Sequence, residues 1–475
     1  MPEFTLRARR VVSVVAATMI SLACGTNYVY SAWAPQFAEQ LKLSSTQSNL
    51  IGVFGNLGMY ASGIPVGLLV DSKGPRPGVF LGSLALGTGY FALHRAYDGG
   101  FGATPLPFLC FFAFLTGLGS AAAFSGSIKT SAMNWPNHRG TATAFPLSAF
   151  GLSAFFFSTI SHFAFPDNTT DFLLLLAVGT FTMSFLGFFF LRVVHHPSAY
   201  SAVPVYEGGG RNDMNPLHRT KSGDSRLSVT RLSQEPDIRG LALLSKLEFW
   251  DLFVMLGLMC GVGLMTINNI GNDVQALWTH YDDSSTPGFI QKRQLVHVSI
   301  LSVCSFVGRL SSGVGSDIIV KALGMSRYWC LCAASSIFCA AQICGLMVEN
   351  PHLLGFVSGL TGLAYGFLFG FYPALVAQKF GINGLSQNWG CMTLAPVIFG
   401  QLFNLLYGLV YDHHSDVLPD GRRECPDGVK CYRSAYWVTF GASLVGLGIS
   451  LWSIRHEHVV RARSRKSARE GGREA

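Results

Sequence analysis

The stretch Phe172–Leu191, FLLLLAVGTFTMSFLGFFFL, runs for 20 residues without an Asp, Glu, Lys or Arg. A helix of that length rises about 30 Å, the thickness of the hydrocarbon core of a bilayer. Lipid offers no water to backbone N–H and C=O groups, so the run must close its own hydrogen bonds as a helix. Uncharged windows of the same kind recur outward from it at Val11–Ala38, Leu50–Val70, Leu106–Ser127 and Leu353–Ala377. Apolar runs number twelve in all, near 11–36, 47–70, 77–97, 105–130, 140–165 and 171–194, then 247–275, 291–315, 325–348, 351–378, 385–411 and 434–455. The chain reads as an all-α membrane protein of twelve transmembrane helices.

Composition agrees. Of 475 residues, 49% are hydrophobic and 13% charged, about half the charged share of soluble domains, ~25%. The net charge of +8 does not form a phosphate-tracking patch with interleaved aromatics, so a nucleic-acid partner is not expected. With the N-terminus placed in the cytoplasm, 25 Lys and Arg fall on cytoplasmic segments and 8 on the opposite side, with Arg309 inside a helix. That bias follows the positive-inside rule and predicts cytoplasmic termini. Arg7, Arg9 and Arg10 before the first run also fit a secretory signal with Ala23 near its cleavage site, but the run continues past Tyr28 and Trp33, beyond a signal core.

The domain plan has four parts: a six-helix bundle over 1–194, a linker over 195–246, a second six-helix bundle over 247–455 and a basic tail over 456–475. The linker is rich in Ser, Gly, Pro and Arg and lacks an apolar period, as expected of a flexible cytoplasmic segment. Ser222, Ser228 and Ser233 follow an Arg closely, which fits either a basic-directed kinase site or plain solubility. The tail's Arg461–Arg473 run is expected near anionic headgroups. Asn168-Thr169-Thr170 is an acceptor pattern for N-glycosylation in a non-cytoplasmic loop. Most cysteines lie in predicted helices as small packing residues. Cys330 and Cys332, two apart, face different sides of a helix and make a poor metal pair. Cys425 and Cys431 share a polar non-cytoplasmic loop, where a disulfide and two free thiols are both open readings.

An internal echo crosses the linker. Gly67-Leu68-Leu69-Val70-Asp71-Ser72-Lys73-Gly74-Pro75-Arg76 ends the second helix, and Gly313-Val314-Gly315-Ser316-Asp317 ends the eighth, with Lys321 and Arg327 following. Each places an acid beside bases in a tight loop, with glycines that permit close helix approach. Matching loops imply two pseudo-symmetric six-helix bundles around a central space.

The Gly67–Arg76 pattern resembles the loop signature of the major facilitator superfamily. The resemblance implies that Gly67, Asp71, Gly74 and Arg76, with Gly313 and Asp317 in the second copy, serve conformational gating through a cytoplasmic charge network. Ser72 departs from it, standing where that family often has a base. The segments Ser21–Tyr28 and Tyr30–Phe37 resemble the opening of nodulin-like transporters. Gly263–Asp273 is similar to the seventh helix of fungal monocarboxylate-transporter homologues, which implies the vacuolar membrane, with the plasma membrane as the alternative.

Arg309 is the clearest ionisable group at membrane depth, where charge is costly without a cavity or partner. Arg309-Leu310-Ser311-Ser312-Gly313 resembles the eighth-helix segment of monocarboxylate transporters, whose arginine engages the substrate carboxylate. A guanidinium suits that task with two parallel N–H donors. The other reading is structural: Arg309, two turns from Asp317, snorkels to the face or pairs with that acid. Two departures count against simple carry-over: Ser305 stands where those transporters have an acid, and Ser31 near their first-helix lysine. Asn27, Tyr28, Tyr30, Asn268, Asn269, Tyr365, Tyr372, Gln387 and Asn388 outline a polar cavity, although interhelical bonding is the commoner use of such groups. Asp273, His94, His162 and His297 lie toward helix ends and leave ion coupling open. Pro146, Pro373 and Pro396 are expected to bend their helices.

No Walker loop, dinucleotide fingerprint, zinc spacing or nucleophile elbow is present, so neither an enzyme nor a metal or cofactor site is expected. The expected activity is alternating-access transport of a small organic solute, with a carboxylate favoured through Arg309 and with or without a coupling ion, by a monomer in the lipid bilayer. The competing expectation is a non-transporting membrane sensor or scaffold.

Overall fold

Three of the twelve spans are interrupted near mid-length, and the interruptions decide where the two halves meet. The computed structural model describes residues 3–43, 45–135, 139–165, 168–194, 238–282, 285–381, 384–417 and 423–471. In the first half, α1 (Glu3–Cys24) passes through a 3-10 turn, Gly25–Val29, into α2 (Tyr30–Leu41) to make the first span. The second span is α3 (Ser45–Ala61) and α4 (Gly63–Lys73), followed by α5 (Pro75–Gly99), α6 (Leu106–Asn134), α7 (Arg139–Ala164) and α8 (Thr169–Phe190). The second half holds α9 (Leu247–Tyr281), α10 (Pro287–Lys321), α11 (Tyr328–Met347) and α12 (Gly355–Phe380). Its eleventh span is α13 (Leu385–Met392) with α14 (Leu394–His413), and its last is α15 (Arg433–Gly471).

Eleven of these spans are apolar enough by hydropathy to cross a membrane; α5, diluted by glycines and by His94, Arg95 and Asp98, falls below that level. Its 25 residues still suffice in length. The linker expected at 195–246 lies outside the described residues over 195–237. The tail expected at 456–475 is no separate segment up to Gly471, because α15 continues through it as one helix.

Backbone satisfaction explains the caps. Asn168 Oδ1 accepts the Asp171 backbone N–H at 3.1 Å and so starts α8. On the face that carries both termini, the terminal face, Asn134 Nδ2 donates to the Arg192 carbonyl at 3.0 Å and to Ser13 Oγ at 3.3 Å, tying α1, α6 and the end of α8 together. There too Glu457 of α15 accepts from Lys379 of α12 at 3.1 Å and from Ser326. On the opposite face, Cys425 and Cys431 are joined by a disulfide beside the short antiparallel pair β1 (Asp416–Val417) and β2 (Arg423–Glu424).

Packing between spans relies on small residues, since lipid gives no hydrophobic drive for helix association. The α10–α12 contact is an example: a Cβ at Gly366 would collide with the Ser305 backbone, and one at Gly308 would meet the Leu363 carbonyl. Gly315, by contrast, has nothing within 4 Å of where a Cβ would sit. Gly366→Ala is therefore expected to lower the thermal unfolding midpoint in detergent, as overpacking costs about 1–3 kcal/mol. Gly315→Ala is expected to hold or raise it, by the ~0.4–1 kcal/mol gained from a less flexible unfolded chain.

Candidate functional site: a cavity between the halves

The broken spans converge. Tyr28 in the 3-10 turn, Tyr60 and Gly63 at the α3–α4 break, and Gly390 and Thr393 at the α13–α14 break all line one small cavity of about 60 Å³. Close backbone approach is what places them there: a Cβ on Gly63 would lie 2.9 Å from Gly390 Cα. Thr393 Oγ1 donates to the Tyr60 carbonyl at 3.1 Å, so a carbonyl freed by one break is satisfied from the other. Irregular backbone at membrane depth is tolerated where it is buried or lines a cavity.

Arg309 of α10 enters this cavity and is 1% exposed. Its Nη1 donates to the Leu147 carbonyl of α7 at 2.9 Å, across the interface between halves. The guanidinium stands over the rings of Phe150 and Phe369 at 5.1 and 5.6 Å from their centroids. Among the described residues Arg309 Nε has no partner and no acidic residue lines the cavity. The pairing with Asp317 offered as the structural reading is not formed: Asp317 binds Arg327 Nη2 at 2.8 Å instead.

Above the cavity, seen from the terminal face, the hydroxyls of Tyr28, Tyr60 and Tyr365 meet pairwise at 3.1 Å. Beyond them lies a second, smaller space of about 30 Å³, lined by Tyr365, Ser302 and Ser305 and sharing Tyr28 with the first. The tyrosines thus partition one interior into two chambers.

Two acids close the terminal face. Asp71 at the end of α4 accepts the backbone N–H of Gln387 in the first turn of α13 at 2.9 Å. Asp317 at the end of α10 accepts the N–H and hydroxyl of Thr141 in the first turn of α7 at 3.0 and 3.2 Å. Each carboxylate caps a helix of the other half, where orphan N–H groups and the positive dipole end favour an anion. Gly67 lets α4 come this close, since a Cβ there would lie 2.5 Å from the Ser386 carbonyl. A Cβ on Gly313 would sit 2.6 Å from that of Ala144 in α7. Gly74, with φ of +87°, turns the chain from α4 into α5. Arg76 stays outside the Asp71 network and stacks on Phe188 at 4.7 Å.

The family model described as Nodulin-like matches residues 10–204. An uncharacterized membrane protein of Saccharomyces cerevisiae is 27% identical over 90% of this chain and 91% of its own length. The probable transporter MCH1 of Gibberella zeae is 25% identical over 94% and 90%, and that of Candida albicans 26% over 86% and 87%. The solved structure of the proton:xylose symporter XylE bound to 6-bromo-6-deoxy-D-glucose has a TM-score of 0.57, covering 94% of this chain and 96% of that one at 12% identity. The family-model match falls on the first 204 residues, and the likeness to the symporter shows that the chain has the major facilitator fold. With these relatives and this fold it is a secondary transporter, a multi-pass protein of the lipid bilayer that handles a small solute.

The sequence-predicted site residues separate. Arg309 and Tyr28 line the main cavity and Tyr365 the second. The others spend their polar groups on helix contacts and line neither space. Asn27 donates to the Gly55 carbonyl at 3.1 Å, Tyr30 to that of Ser48 at 2.5 Å and Tyr372 to that of Leu252 at 2.5 Å. Asn388 donates to the Ile238 carbonyl at 3.0 Å, while Asn268 and Asn269 both donate to Asn404, at 3.3 and 3.0 Å. Gln387 contributes its backbone N–H to the Asp71 cap. His94 and His297 are held by the Thr170 carbonyl and Ser358 Oγ at 3.2 and 2.9 Å, and Asp273 by Tyr407 and Tyr436 at 2.5 and 2.7 Å.

Sequence reasoning missed Tyr60, Trp389 and, above all, Lys129. The charge tally counted Lys129 among the cytoplasmic segments, although it falls just inside the span expected over 105–130. The helix instead runs on to Asn134 and brings Lys129 to the cavity wall, where its Nζ donates to Asp71 Oδ1 at 2.5 Å. A lysine five residues short of a helix end was the available signal.

Proposed function

We propose that this chain carries a small organic anion across the membrane by alternating access, binding it between the halves at Arg309. The observation behind the reading is a buried guanidinium at the wall of a shared cavity, satisfied by one carbonyl and two ring faces and by no carboxylate. Burying an unpaired cation is costly, and an arriving carboxylate offsets that cost with charge-assisted hydrogen bonds of about 1.5–3 kcal/mol each. Tyr28 and Tyr60 supply hydroxyls to the same cavity wall, and the aromatic walls exclude water. A carrier of this kind needs no cofactor or covalent step.

Alternating access is read from the two caps. Asp71 and Asp317 hold the terminal face shut from opposite halves, each through contacts small enough to exchange. We assign the terminal face to the cytoplasm on the excess of Lys and Arg there. The vacuolar membrane is favoured on resemblance to fungal relatives. We further propose that the monomer is the working unit, since one chain supplies both walls of the cavity, and that a coupling ion enters only where flux follows its gradient.

Reconstituted vesicles test the main claim. Uptake of a radiolabelled carboxylate is expected in vesicles that hold the protein, and binding without flux would mark a sensor instead. Arg309→Ala is expected to raise the half-saturation concentration at least tenfold, and Arg309→Lys to restore it only partly because the planar fork is lost. Unchanged uptake in Arg309→Ala removes the anion site.

The gate has its own measurement. In a background without the free cysteines, a cysteine at Ser125 on the cavity wall reports access from the terminal face. Asp317→Asn is expected to speed its labelling about fivefold or more, the shift produced by ~1 kcal/mol of lost coupling. An unchanged rate would mean that the cap does not hold the face shut.

A further inference from the structure

The reading above gives the solute one anionic group, at Arg309; this inference rests on that reading and concerns the solute's other end. The cavity wall carries a second cation. Lys129 of α6 lines it from the N-terminal half, whereas Arg309 enters from the C-terminal half. Lys129 Nζ donates to Asp71 Oδ1 at 2.5 Å and to the Val70 carbonyl at 3.3 Å. An ammonium has three N–H donors, so these two bonds leave a third unassigned on a residue of the cavity wall. Elsewhere the wall is mostly apolar, with Met59, Val66, Ile128 and Leu147 among its residues.

We propose that Lys129 is a second anion anchor and that the transported solute is a dianion, two carboxylate-like groups joined by a short apolar spacer. One group binds Arg309 and the other Lys129, so the ligand spans both halves. The pairing has a mechanical consequence, because Asp71 uses its two oxygens differently. Oδ1 takes Lys129 and Oδ2 takes the Gln387 N–H of the opposite half. A carboxylate arriving at Lys129 competes with Asp71 for the same ammonium. Asp71 is then left at the α13 terminus with its counter-charge shared, and the cap loosens. A monoanion held by Arg309 alone leaves the Lys129–Asp71 pair intact. Loading of both cations is thus the signal that opens the terminal face.

The plainer account is that Lys129–Asp71 only staples α6 to α4 within one half. Such a staple needs no cavity-facing ammonium, and the two accounts differ in substrate preference. Full-length protein in vesicles is tested with succinate and butyrate, which share a four-carbon chain and differ by one charge. The readout is the ratio of half-saturation concentrations, butyrate over succinate. A ratio of at least ten is expected in the wild type. It should fall at least fivefold in Lys129→Gln, persist in Lys129→Arg, and rise in Asp71→Asn, where Lys129 loses its ionic competitor. Equal half-saturation in the wild type, or a ratio that survives Lys129→Gln, overturns the second anchor. So does a staple's signature, equal loss for both probes with the ratio unmoved. Uptake of butyrate without succinate removes only the dianion, whereas uptake of neither by folded protein removes the anionic solute as well.

Discussion

The structure depends on a reciprocal exchange of helix caps between its halves. Asp71 of the first half satisfies the opening turn of α13, and Asp317 of the second satisfies that of α7. Helix starts buried against protein leave N–H groups that water cannot reach, so a partner is obligatory. Supplying it from the other half makes one contact serve two ends: it completes a helix and holds a face closed. A capping carboxylate contributes about 0.5–2 kcal/mol. Two such caps tie the halves together at this face by about 1–4 kcal/mol in all. The duplication of six spans explains why the arrangement occurs twice, with the second span answering the eighth and the eleventh answering the fifth.

The interior follows from the same opposition. Where α3 meets α4 and α13 meets α14, the backbone is irregular, and the two breaks face each other closely enough for Thr393 to satisfy Tyr60. Continuous helices would present only side chains at this depth. The breaks also bring Tyr60 beside Tyr28 and Tyr365, and the three hydroxyls form a polar septum in an otherwise apolar surround. Arg309 stands on the terminal side of that septum and bonds to the opposite half through Leu147. Charge, septum and caps therefore all lie on the surface along which the halves must separate.

Much of this was legible in the residues. Twelve apolar runs, the echo of Gly67–Arg76 in Gly313–Asp317, and a lone arginine at membrane depth already led to paired bundles with a charged interior. What was not legible depended on partners distant in sequence. Tyr30, Tyr372 and Asn388 look like cavity residues by type, yet whether an amide or hydroxyl meets a ligand or a carbonyl is decided by the neighbouring helix. Asp71 was expected among nearby bases, but Arg76 turns to Phe188 and Lys129, 58 residues on, takes the role. The α13–α14 break lies three residues before Pro396, one of the prolines expected to bend a helix, whereas the α3–α4 break was missed although Gly63 and Pro65 follow Ser62.

The last helix has a separate bearing on how the molecule meets its surroundings. At 39 residues, α15 is about 58 Å long, nearly twice the ~30 Å hydrocarbon thickness. Its arginine-rich end must therefore stand clear of the lipid as a rigid spar. Where it leaves the bundle it is pinned to α12 by Glu457 and Lys379, and α12 carries Pro373 and Phe369 to the chamber wall. Whatever holds that end in the cell grips a lever, with its fulcrum about two turns of helix from the chamber wall.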